Sequence, residues 1–369
     1  MTENVSTAIA IPRGLAGVVV ADTHLSEVRG DDGVFHYRGH DAVQLAGAAE
    51  FEDVWHLLVA GHLPAPDERA AFIGQIAAAR ADAVVRAVVD AVLGADADPL
   101  AVLGATWPLL AARRGLGALY DLPAHERREA AVELAAIVPT VMAFVQGAEP
   151  TLEDGTVTGH LRAVAGHAPD GWEHRALTAY LILAMDHGFN ASTFTARVIA
   201  STGAGMAACL SGALGALAGP LHGGAPARSL DALDRFGDIA EIEPWIRGEL
   251  SAGRRLMGFG HAVYRTADPR AQLLKQLARE RGGARVDIAV AYEQTAERVL
   301  AELKPGRNLH ANVELYAAVV MELCGIPRQM MTPTFAVARA VGWSAHVLEQ
   351  ADDPKIIRPA SRYVGTPLR

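Results

Sequence analysis

Cysteine and aromatic residues are scarce in this chain of 369 residues. Its two cysteines, Cys209 and Cys324, lie in apolar stretches and show no Cys-x-x-C spacing. This disfavours a disulfide framework and indicates small buried side chains in a reducing cytoplasm. Aromatic residues make up only 6% of the chain, while alanine is abundant. Because alanine loses no side-chain entropy in a helix, this composition favours helices over sheets.

An excess of positive charge is also missing. The net charge is −9 at pH 7, and no Lys/Arg cluster resembles the basic face that a nucleic-acid-binding domain presents to phosphates. We therefore expect no nucleic acid partner. The N-terminal sequence MTENVSTAIAIPRG lacks the basic start and long apolar core of a signal peptide, which predicts a cytoplasmic protein. Hydrophobic residues make up 51% of the chain, enough for a sizeable core.

One long uncharged stretch, residues 198–227, has the length of a membrane span but not its composition. It is rich in Gly, Ala and Ser rather than Leu or Phe. Ser211, Gly215 and Gly219 recur every four residues, which would give a helix a flat stripe for the close approach of another backbone. The pattern predicts a helix buried between other helices or subunits, and no membrane association.

From about Glu50 onward the hydrophobic pattern is helical almost throughout, whereas residues 1–45 look irregular. Phe51, Val54, Trp55 and Leu58 fall on one face of a predicted helix that ends at Gly61. Further helices are expected over about 127–146, around 174–200 with a break at 188–190, and from Phe335 to Leu348. The pattern predicts an all-α protein.

Three histidines lie in glycine-containing loops between predicted helices: His187 in DHGFN, His222 in GPLHGG and His261 in GFGHAVYR. Glycines let a backbone approach a ligand closely, and loops held by rigid helices concentrate binding residues. Taken singly, each histidine is more typical of a structural or surface residue than of a catalytic one, and it is their shared setting that favours a binding role. None of the three has another histidine at i+3 or i+4, so no metal site is predicted.

Several arginines accompany these loops or lie in unusual surroundings. Arg265 and Arg270 follow the third loop, Arg339 lies within the apolar segment ARAVGW, and Arg358 lies in IIRP. An arginine among apolar residues is costly to bury unless it meets an anion, which could be a structural partner or a substrate carboxylate. Several such arginines together would suit a di- or tricarboxylate, because the guanidinium group binds carboxylates through two parallel hydrogen bonds.

Motifs along nearly the whole chain resemble those of the citrate synthase family. They are YRGHD, DHGFNASTFTARV, GPLHGGA, GFGHAVYRTADPRA, ANVELYAAVV and TPTFAVARAVGWSAHVLEQ, followed by IIRP and YVG, in the order of the family. GPLHGG together with GFGHAVYR is the most specific part of this resemblance.

The resemblance implies an all-α fold with two domains and a homodimer. A large helical domain would comprise residues 1–224 and 324–369, with a smaller helical domain, 225–323, inserted between them and the active site at the junction. The implied reaction joins acetyl-CoA to oxaloacetate and hydrolyses the intermediate to citrate and CoA, as in the tricarboxylic acid cycle. No cofactor is needed; the acyl-CoA is a substrate.

The resemblance also implies roles for individual residues. His222 would hydrogen-bond the thioester carbonyl, His261 would polarise the ketone of oxaloacetate, and Glu314 would remove the α proton. The remaining implied contacts are His187, Arg270 and Arg339 with the oxaloacetate carboxylates, Arg358 with them from the partner subunit, and Arg265, Gly258, Phe259 and Gly260 with CoA.

Two positions depart from the family pattern. The usual base is an aspartate, but here the motif reads Asn312-Val313-Glu314, and Ala262 stands where many relatives have arginine. Three interpretations of the longer Glu314 side chain stay open. The backbone could be shifted so that the carboxylate still reaches the substrate, or the enzyme could be slower or prefer another substrate. The third is a non-catalytic paralogue that binds CoA or citrate. A 2-methylcitrate synthase that uses propionyl-CoA also stays open, because one methylene changes binding by only about 1–3 kcal/mol.

Overall fold

A computed structural model of the protein describes residues 11–220, 222–223, 225–260, 264, 266–353 and 355–366, apart from the side chains of residues 225 and 226. This part of the chain is mostly helical, as the sequence predicts. The α-helices are α1 Ala42–Ala48, α2 Phe51–Ala60, α3 Pro66–Ala81, α4 Ala83–Val92, α5 Pro99–Arg114, α6 Ala124–Ala136, α7 Val138–Val145, α8 Thr156–Ala165, α9 Gly171–Ala184, α10 Ala191–Ala200, α11 Met206–Leu217, α12 Ala225–Leu233, α13 Ile242–Ser251, α14 Pro269–Arg281, α15 Ala284–Leu303, α16 Val313–Leu323 and α17 Met331–Ala351.

A small antiparallel sheet precedes α1, where the sequence predicts irregular structure. Its strands are β1 Ser26–Arg29, β2 Val34–Tyr37 and β3 His40–Asp41, in the order β1-β2-β3. The prediction was wrong here because the strands are short and the alternation covers few residues: only Phe35 and Tyr37 are buried on β2. The Tyr37 hydroxyl donates a hydrogen bond to the Ile182 carbonyl oxygen at 2.7 Å and lies 3.1 Å from the Asp186 carbonyl oxygen, which fastens the sheet to the end of α9.

Local sequence rules account for several helix ends. Helix α2 covers its predicted range and ends at Gly61, whose φ of 95° is readily adopted by glycine. The predicted helix over 127–146 is interrupted at Ile137 and becomes α6 and α7. Pro139 explains the interruption, because proline has no N–H to continue the hydrogen-bond ladder and fits best in the first turn of a new helix.

The small-residue segment forms α11, which packs against α5 and α10. A Cβ atom at Gly212 would lie 2.2 Å from Cδ1 of Ile199 on α10, so a larger residue would require the Ile199 side chain to move. On the α5 side, the Ser211 hydroxyl donates to the Gly104 carbonyl oxygen at 3.4 Å. No helix in the described ranges is both long and apolar enough to span a membrane.

Helix α17 lies at the centre of the molecule and is buried over nearly all of its length. It packs against α2, α6, α9, α10 and α11, and a Cβ atom at Gly342 would lie only 1.9 Å from the Met185 carbonyl oxygen. The connection between α9 and α10 therefore lies directly on α17. On another side, α9 also contacts α14 and α16, which brings the carboxyl end of α9 next to the first turns of both helices.

Candidate active site

A cavity of about 180 Å³ opens where α9, α14, α16 and α17 meet. It contains five residues that the sequence analysis singled out, drawn from segments far apart in the chain. They are His187, His222, Arg270, Glu314 and Arg339, and the other lining residues are Tyr180, Leu183, Ala184, Asn190, Asn312, Val313 and Phe335.

Arg339 supplies uncompensated hydrogen-bond donors to this cavity. Its side chain is buried, with the guanidinium carbon 4.9 Å from the centre of the Phe335 ring. Its Nε and Nη1 atoms have no hydrogen-bond partner among the described residues. Burial lowers the pKa of Arg339, and the Asp186 carboxylate is the largest influence that opposes this effect. Because buried donors are nearly always satisfied in folded proteins, these two atoms point to an anionic ligand.

Arg270 is the second buried arginine at the cavity and is paired with Asp268. Its Nε donates to Oδ1 at 3.0 Å, and its Nη2 donates to Oδ2 at 2.8 Å. Asp268 also accepts the backbone N–H of Val313, at 3.1 Å, and so connects the start of α14 to the start of α16. Burial lowers the pKa of Arg270, but the Asp268 charge and hydrogen bond outweigh it and raise the pKa overall. Arg270 thus stays a cation and is held in one orientation.

Glu314 lies in the first turn of α16 and is half-buried. Burial raises the pKa of its carboxyl group to about 7, although Arg270 and Arg339 act in the opposite direction. Glu314 and Asn312 also line a second, larger cavity of about 460 Å³. The carboxyl group therefore lies where the two cavities meet, with a pKa suited to proton transfer near neutral pH.

The second cavity combines a glycine-containing loop with basic side chains. Gly258, Phe259 and Gly260, which the resemblance assigns to CoA, line it, and the Gly258 and Gly260 φ angles are 82° and 84°. The loop is fixed by hydrogen bonds from the Gly260 N–H to the His310 carbonyl and from the Asn312 N–H to the Gly258 carbonyl, both 2.9 Å.

Sequence reasoning missed the basic residues of the second cavity. These are Arg255, Lys304 and Arg307, with Leu250, Leu256, Met257, Leu300 and Leu309 as apolar neighbours. The basic turn KPGR directly after α15 was the available signal, but the pattern alone does not distinguish it from an ordinary solvated turn.

The imidazole of His222 lies against a hydrogen-bonded cluster. Its Nε2 is 2.8 Å from the Ser192 hydroxyl oxygen, which accepts a hydrogen bond from Trp343 Nε1 at 3.1 Å and lies 2.7 Å from Asn190 Oδ1. Asn190 also caps α10 by accepting the N–H groups of its first turn. Burial, followed by the charge of Arg339, lowers the pKa of His222 to about 4. His222 is therefore a neutral imidazole at physiological pH.

His187 lies in the turn between α9 and α10. Its Nε2 is 3.1 Å from the Tyr264 hydroxyl, and its ring centre is 5.1 Å from that of Phe35 on β2. The N-terminal sheet therefore forms one wall behind His187, a contribution that the sequence did not reveal.

The structure does not describe two of the predicted site residues and places a third outside both cavities. His261 and Arg265 lie outside the described residues, as does Ala262. Arg358 is described, but it is exposed and lines neither cavity. Its assignment to the partner subunit's site stays a prediction.

One cluster in the described ranges has the composition of a metal site. A ring nitrogen of His56, a ring nitrogen of His62 and a carboxylate oxygen of Glu68 lie within 4.8 Å of one another. None of the three residues lines either cavity. Hydrogen bonds from His62 to Glu68, and between His56 and the His62 carbonyl, already account for the cluster.

Comparison with known proteins gives consistent matches over nearly the whole chain. The family model described as citrate synthase, C-terminal domain, matches residues 14–360. "Putative citrate synthase 2" of Mycobacterium tuberculosis is 40% identical over 367 residues, covering 95% of this chain and 92% of the relative. The "2-methylcitrate synthase" of Shewanella oneidensis is 34% identical over 373 residues, covering 96% and 95%.

Solved structures agree with the sequence matches. Citrate synthase from Thermotoga maritima is 33% identical and superimposes with a TM-score of 0.83, covering 97% of this chain and 96% of that one. The citrate synthase of Thermoplasma acidophilum, solved as a ternary complex with carboxymethyl coenzyme A and oxaloacetate, is 28% identical with a TM-score of 0.88, covering 98% and 97%.

Proposed function

The chain belongs to the citrate synthase family and is a condensing enzyme of the acyltransferase type, and we propose that its substrates are acetyl-CoA and oxaloacetate, converted to citrate and CoA. The observation that carries this proposal is the location of Glu314 between an arginine-lined cavity and a second cavity with basic walls. A base in that location is within reach of molecules bound on both sides.

Oxaloacetate would occupy the smaller cavity. The buried guanidinium of Arg339, whose Nε and Nη1 have no partner among the described residues, would bind one carboxylate, and Arg270 and His187 would complete the dicarboxylate site. The acyl-CoA would lie in the larger cavity, where Arg255, Lys304 and Arg307 favour the phosphates electrostatically. Its thioester would then approach the shared boundary at Glu314.

The first step would be removal of a proton from the methyl carbon of the acetyl thioester by Glu314. A thioester is a very weak carbon acid, so the oxygen that gains negative charge must be stabilised at the same time. His222 would supply this stabilisation by donating a hydrogen bond to the thioester oxygen. A carboxyl group with a pKa of about 7 is a stronger base than an ordinary glutamate, which suits this step.

The tautomer of His222 matters for this role. In the structure the Ser192 hydroxyl donates to Asn190 Oδ1, so Nε2 of His222 carries the ring proton and donates to the Ser192 oxygen. Donation to the thioester from Nδ1 would require the Ser192 hydroxyl to turn towards Nε2 and the ring proton to move to Nδ1. A neutral imidazole that donates a hydrogen bond can share its proton with the enolate and recover it later. The lowered pKa of His222 supports a neutral ring in the resting enzyme.

In the second step, the enol carbon would attack the ketone carbon of oxaloacetate. A carbon–carbon bond forms, and the ketone oxygen takes up a proton and becomes the hydroxyl group of a citryl thioester. His261, assigned by the resemblance, would polarise that ketone. Water then attacks the thioester carbonyl, the carbon–sulfur bond breaks, and citrate and CoA leave.

We also propose the two-domain division at 225–323 and a cytoplasmic homodimer with no cofactor. Exposed apolar side chains in the C-terminal tail support the dimer, because Ile356, Tyr363 and Val364 are 61%, 77% and 87% exposed. Arg358 lies in this tail and would reach the active site of the partner subunit when the tail packs against that subunit. Two buried free cysteines are in keeping with a reducing compartment.

A second candidate function is 2-methylcitrate synthesis from propionyl-CoA. The similarity to a protein named 2-methylcitrate synthase favours it, and the two reactions differ only by one methyl group on the nucleophilic carbon. Because one methylene contributes only about 1–3 kcal/mol to discrimination, an enzyme of either type would accept both substrates to some degree.

The test is release of CoA, followed with a thiol reagent, from purified protein given oxaloacetate and either acetyl-CoA or propionyl-CoA. We expect a higher kcat/KM for acetyl-CoA. A higher value for propionyl-CoA would identify a 2-methylcitrate synthase. Binding of oxaloacetate without CoA release from either thioester would instead identify a non-catalytic paralogue.

A further inference from the structure

We propose that Asp186 and His346 are positioning residues for the oxaloacetate site. Their buried pair holds the turn that carries His187 against the helix that carries Arg339. This inference rests on the proposed function, because it concerns the geometry of the same substrate site. Neither residue lines the cavity, so both act through other residues.

Asp186 is the centre of a buried hydrogen-bond network. Its Oδ1 accepts a hydrogen bond from His346 Nε2 at 3.0 Å, and its Oδ2 accepts the Gly188 N–H at 3.2 Å and the Ser26 hydroxyl. Its own backbone N–H donates to the Tyr37 hydroxyl. The backbone on each side of His187 is therefore fixed by contacts of a single residue.

The surroundings of His346 fix which ring nitrogen carries the proton. Its Nδ1 lies 3.0 Å from Nη1 of Arg197, and a guanidinium group only donates hydrogen bonds. Nδ1 must therefore accept, so Nε2 carries the proton and donates to Asp186. Arg197 is itself anchored by Gln350 Oε1 at 2.9 Å and by Glu349 Oε2 at 2.6 Å.

The contact between Asp186 and His346 lies on the part of α17 that also carries Arg339. Arg339 and His346 are seven residues apart, which is about two helical turns, so they lie on the same side of α17. Between them, Gly342 makes close contact with the Met185 carbonyl. The turn after α9 thus meets α17 at two points, about one and two helical turns after Arg339, and any displacement of the turn changes the separation of His187 and Arg339.

Burying the Asp186 carboxylate against a neutral imidazole is a poor way to gain stability, since desolvation of the charge offsets much of the attraction. It is a good way to fix an orientation, because hydrogen bonds to a carboxylate are directional. A dicarboxylate site needs such precision: a misplacement of about 1 Å in a substrate-positioning group is enough to cost roughly 100-fold in rate.

The experiment compares His346→Leu, His346→Gln and Ser344→Ala in the full-length protein. His346→Leu removes the donor to Asp186, whereas His346→Gln keeps an N–H at a similar distance from the backbone. Ser344→Ala is the matched control, since it removes a buried hydrogen bond from α17 to the Ala131 carbonyl of α6, outside the network. Dissociation constants for oxaloacetate are measured by titration calorimetry, and KM and kcat are measured for both substrates.

We expect His346→Leu to raise the KM and dissociation constant for oxaloacetate at least tenfold, with the KM for acyl-CoA within about threefold of the wild type. His346→Gln should recover most of the loss, and Ser344→Ala should stay within twofold. If His346→Leu does not fold by circular dichroism, Ser26→Ala, which removes one donor to Asp186, should raise the oxaloacetate KM about threefold.

An unchanged oxaloacetate KM in folded His346→Leu protein would overturn the positioning role. If His346→Leu does not fold, an unchanged oxaloacetate KM in Ser26→Ala would overturn it. Equal loss in the Leu and Gln variants would also overturn it, because the Asp186 hydrogen bond would then be irrelevant. Wild-type protein that neither binds nor turns over oxaloacetate would instead overturn the proposed function.

Discussion

Asn312 Oδ1 accepts a hydrogen bond from the backbone N–H of Glu314 at 3.0 Å and so caps the N-terminus of helix α16. The carboxyl group of Glu314, in the first turn of this helix, borders both cavities. The positive end of a helix dipole would normally favour the ionised carboxylate. Burial outweighs this influence and raises the pKa of Glu314 to about 7. The capping interaction fixes the position of Glu314, and the surrounding protein sets its basicity.

Glu314→Gln should abolish most of the turnover. Glutamine keeps the size of the side chain but has no carboxylate to accept a proton, so we expect kcat to fall about 100- to 10,000-fold. Glu314→Asp keeps the base and withdraws it by one methylene, so a smaller loss of about 10- to 100-fold is expected. Steady-state CoA release measures both. Equal rates in wild type and Glu314→Gln would show that another residue is the base.

The pH profile should report the ionisation of Glu314. The base must be unprotonated, so kcat/KM for the acyl-CoA should rise about tenfold per pH unit below pH 7 and level off above it. His222 has a pKa of about 4 and stays neutral over this range, so it adds no second inflection there. A profile flat from pH 5.5 to 8 would contradict the raised pKa.

Loss of activity in Glu314→Gln should be accompanied by a gain in stability above pH 7. A carboxyl group with a folded-state pKa above its unfolded value of 4.5 favours the folded state only while it is protonated. Ionisation therefore costs stability above pH 7, and we expect the variant to gain about 1–3 kcal/mol in free energy of unfolding at pH 8.

This gain should shrink as the pH falls from 7 towards 4.5, where the native glutamate is protonated in the folded state. Urea unfolding at pH 8 and pH 5 gives the two free energies. A gain of the same size at both pH values would mean that the effect of the substitution is unrelated to ionisation.

Ser192→Ala should impair the thioester step without changing the fold. The substitution removes the group that holds Nε2 of His222, so the ring is free to rotate and to exchange tautomers. We expect kcat to fall about 10- to 100-fold, as for loss of a group that orients an acid–base residue. Thr195→Val on the same helix is the control, because the Thr195 hydroxyl donates to the Ala191 carbonyl of its own helix and not to His222. Similar losses in both variants would argue against a specific role.

Lys304→Ala and Arg307→Ala should weaken acyl-CoA binding selectively. Each removes a positive charge from the second cavity, so the KM for acyl-CoA should rise severalfold while the KM for oxaloacetate stays constant. The difference from wild type should become smaller in high salt, because exposed charges are screened. Arg247→Ala is the control, since Arg247 pairs with Glu243 and Glu302 and does not line the cavity. An equal rise in that variant would indicate a general charge effect.

Sequence alone was sufficient where structure depends on neighbours in the chain. The amphipathic pattern from Phe51 to Leu58 and the glycine at position 61 determine helix α2, because helical periodicity and positive φ are local properties. The histidine- and glycine-containing motifs likewise indicated His187 and His222 before any contact was known. The family and its all-helical fold follow from such motifs taken together.

Only the tertiary structure decided how these residues work together. Ser192 and Trp343 are far apart in the chain, yet they and His222 form one hydrogen-bonded cluster. The raised pKa of Glu314 depends on burial among four helices, which no local pattern encodes. No sequence motif distinguishes His346, and only the folded structure brings it to Asp186. Sequence patterns specify where helices begin and which faces are apolar, but distances and desolvation arise only when those faces pack.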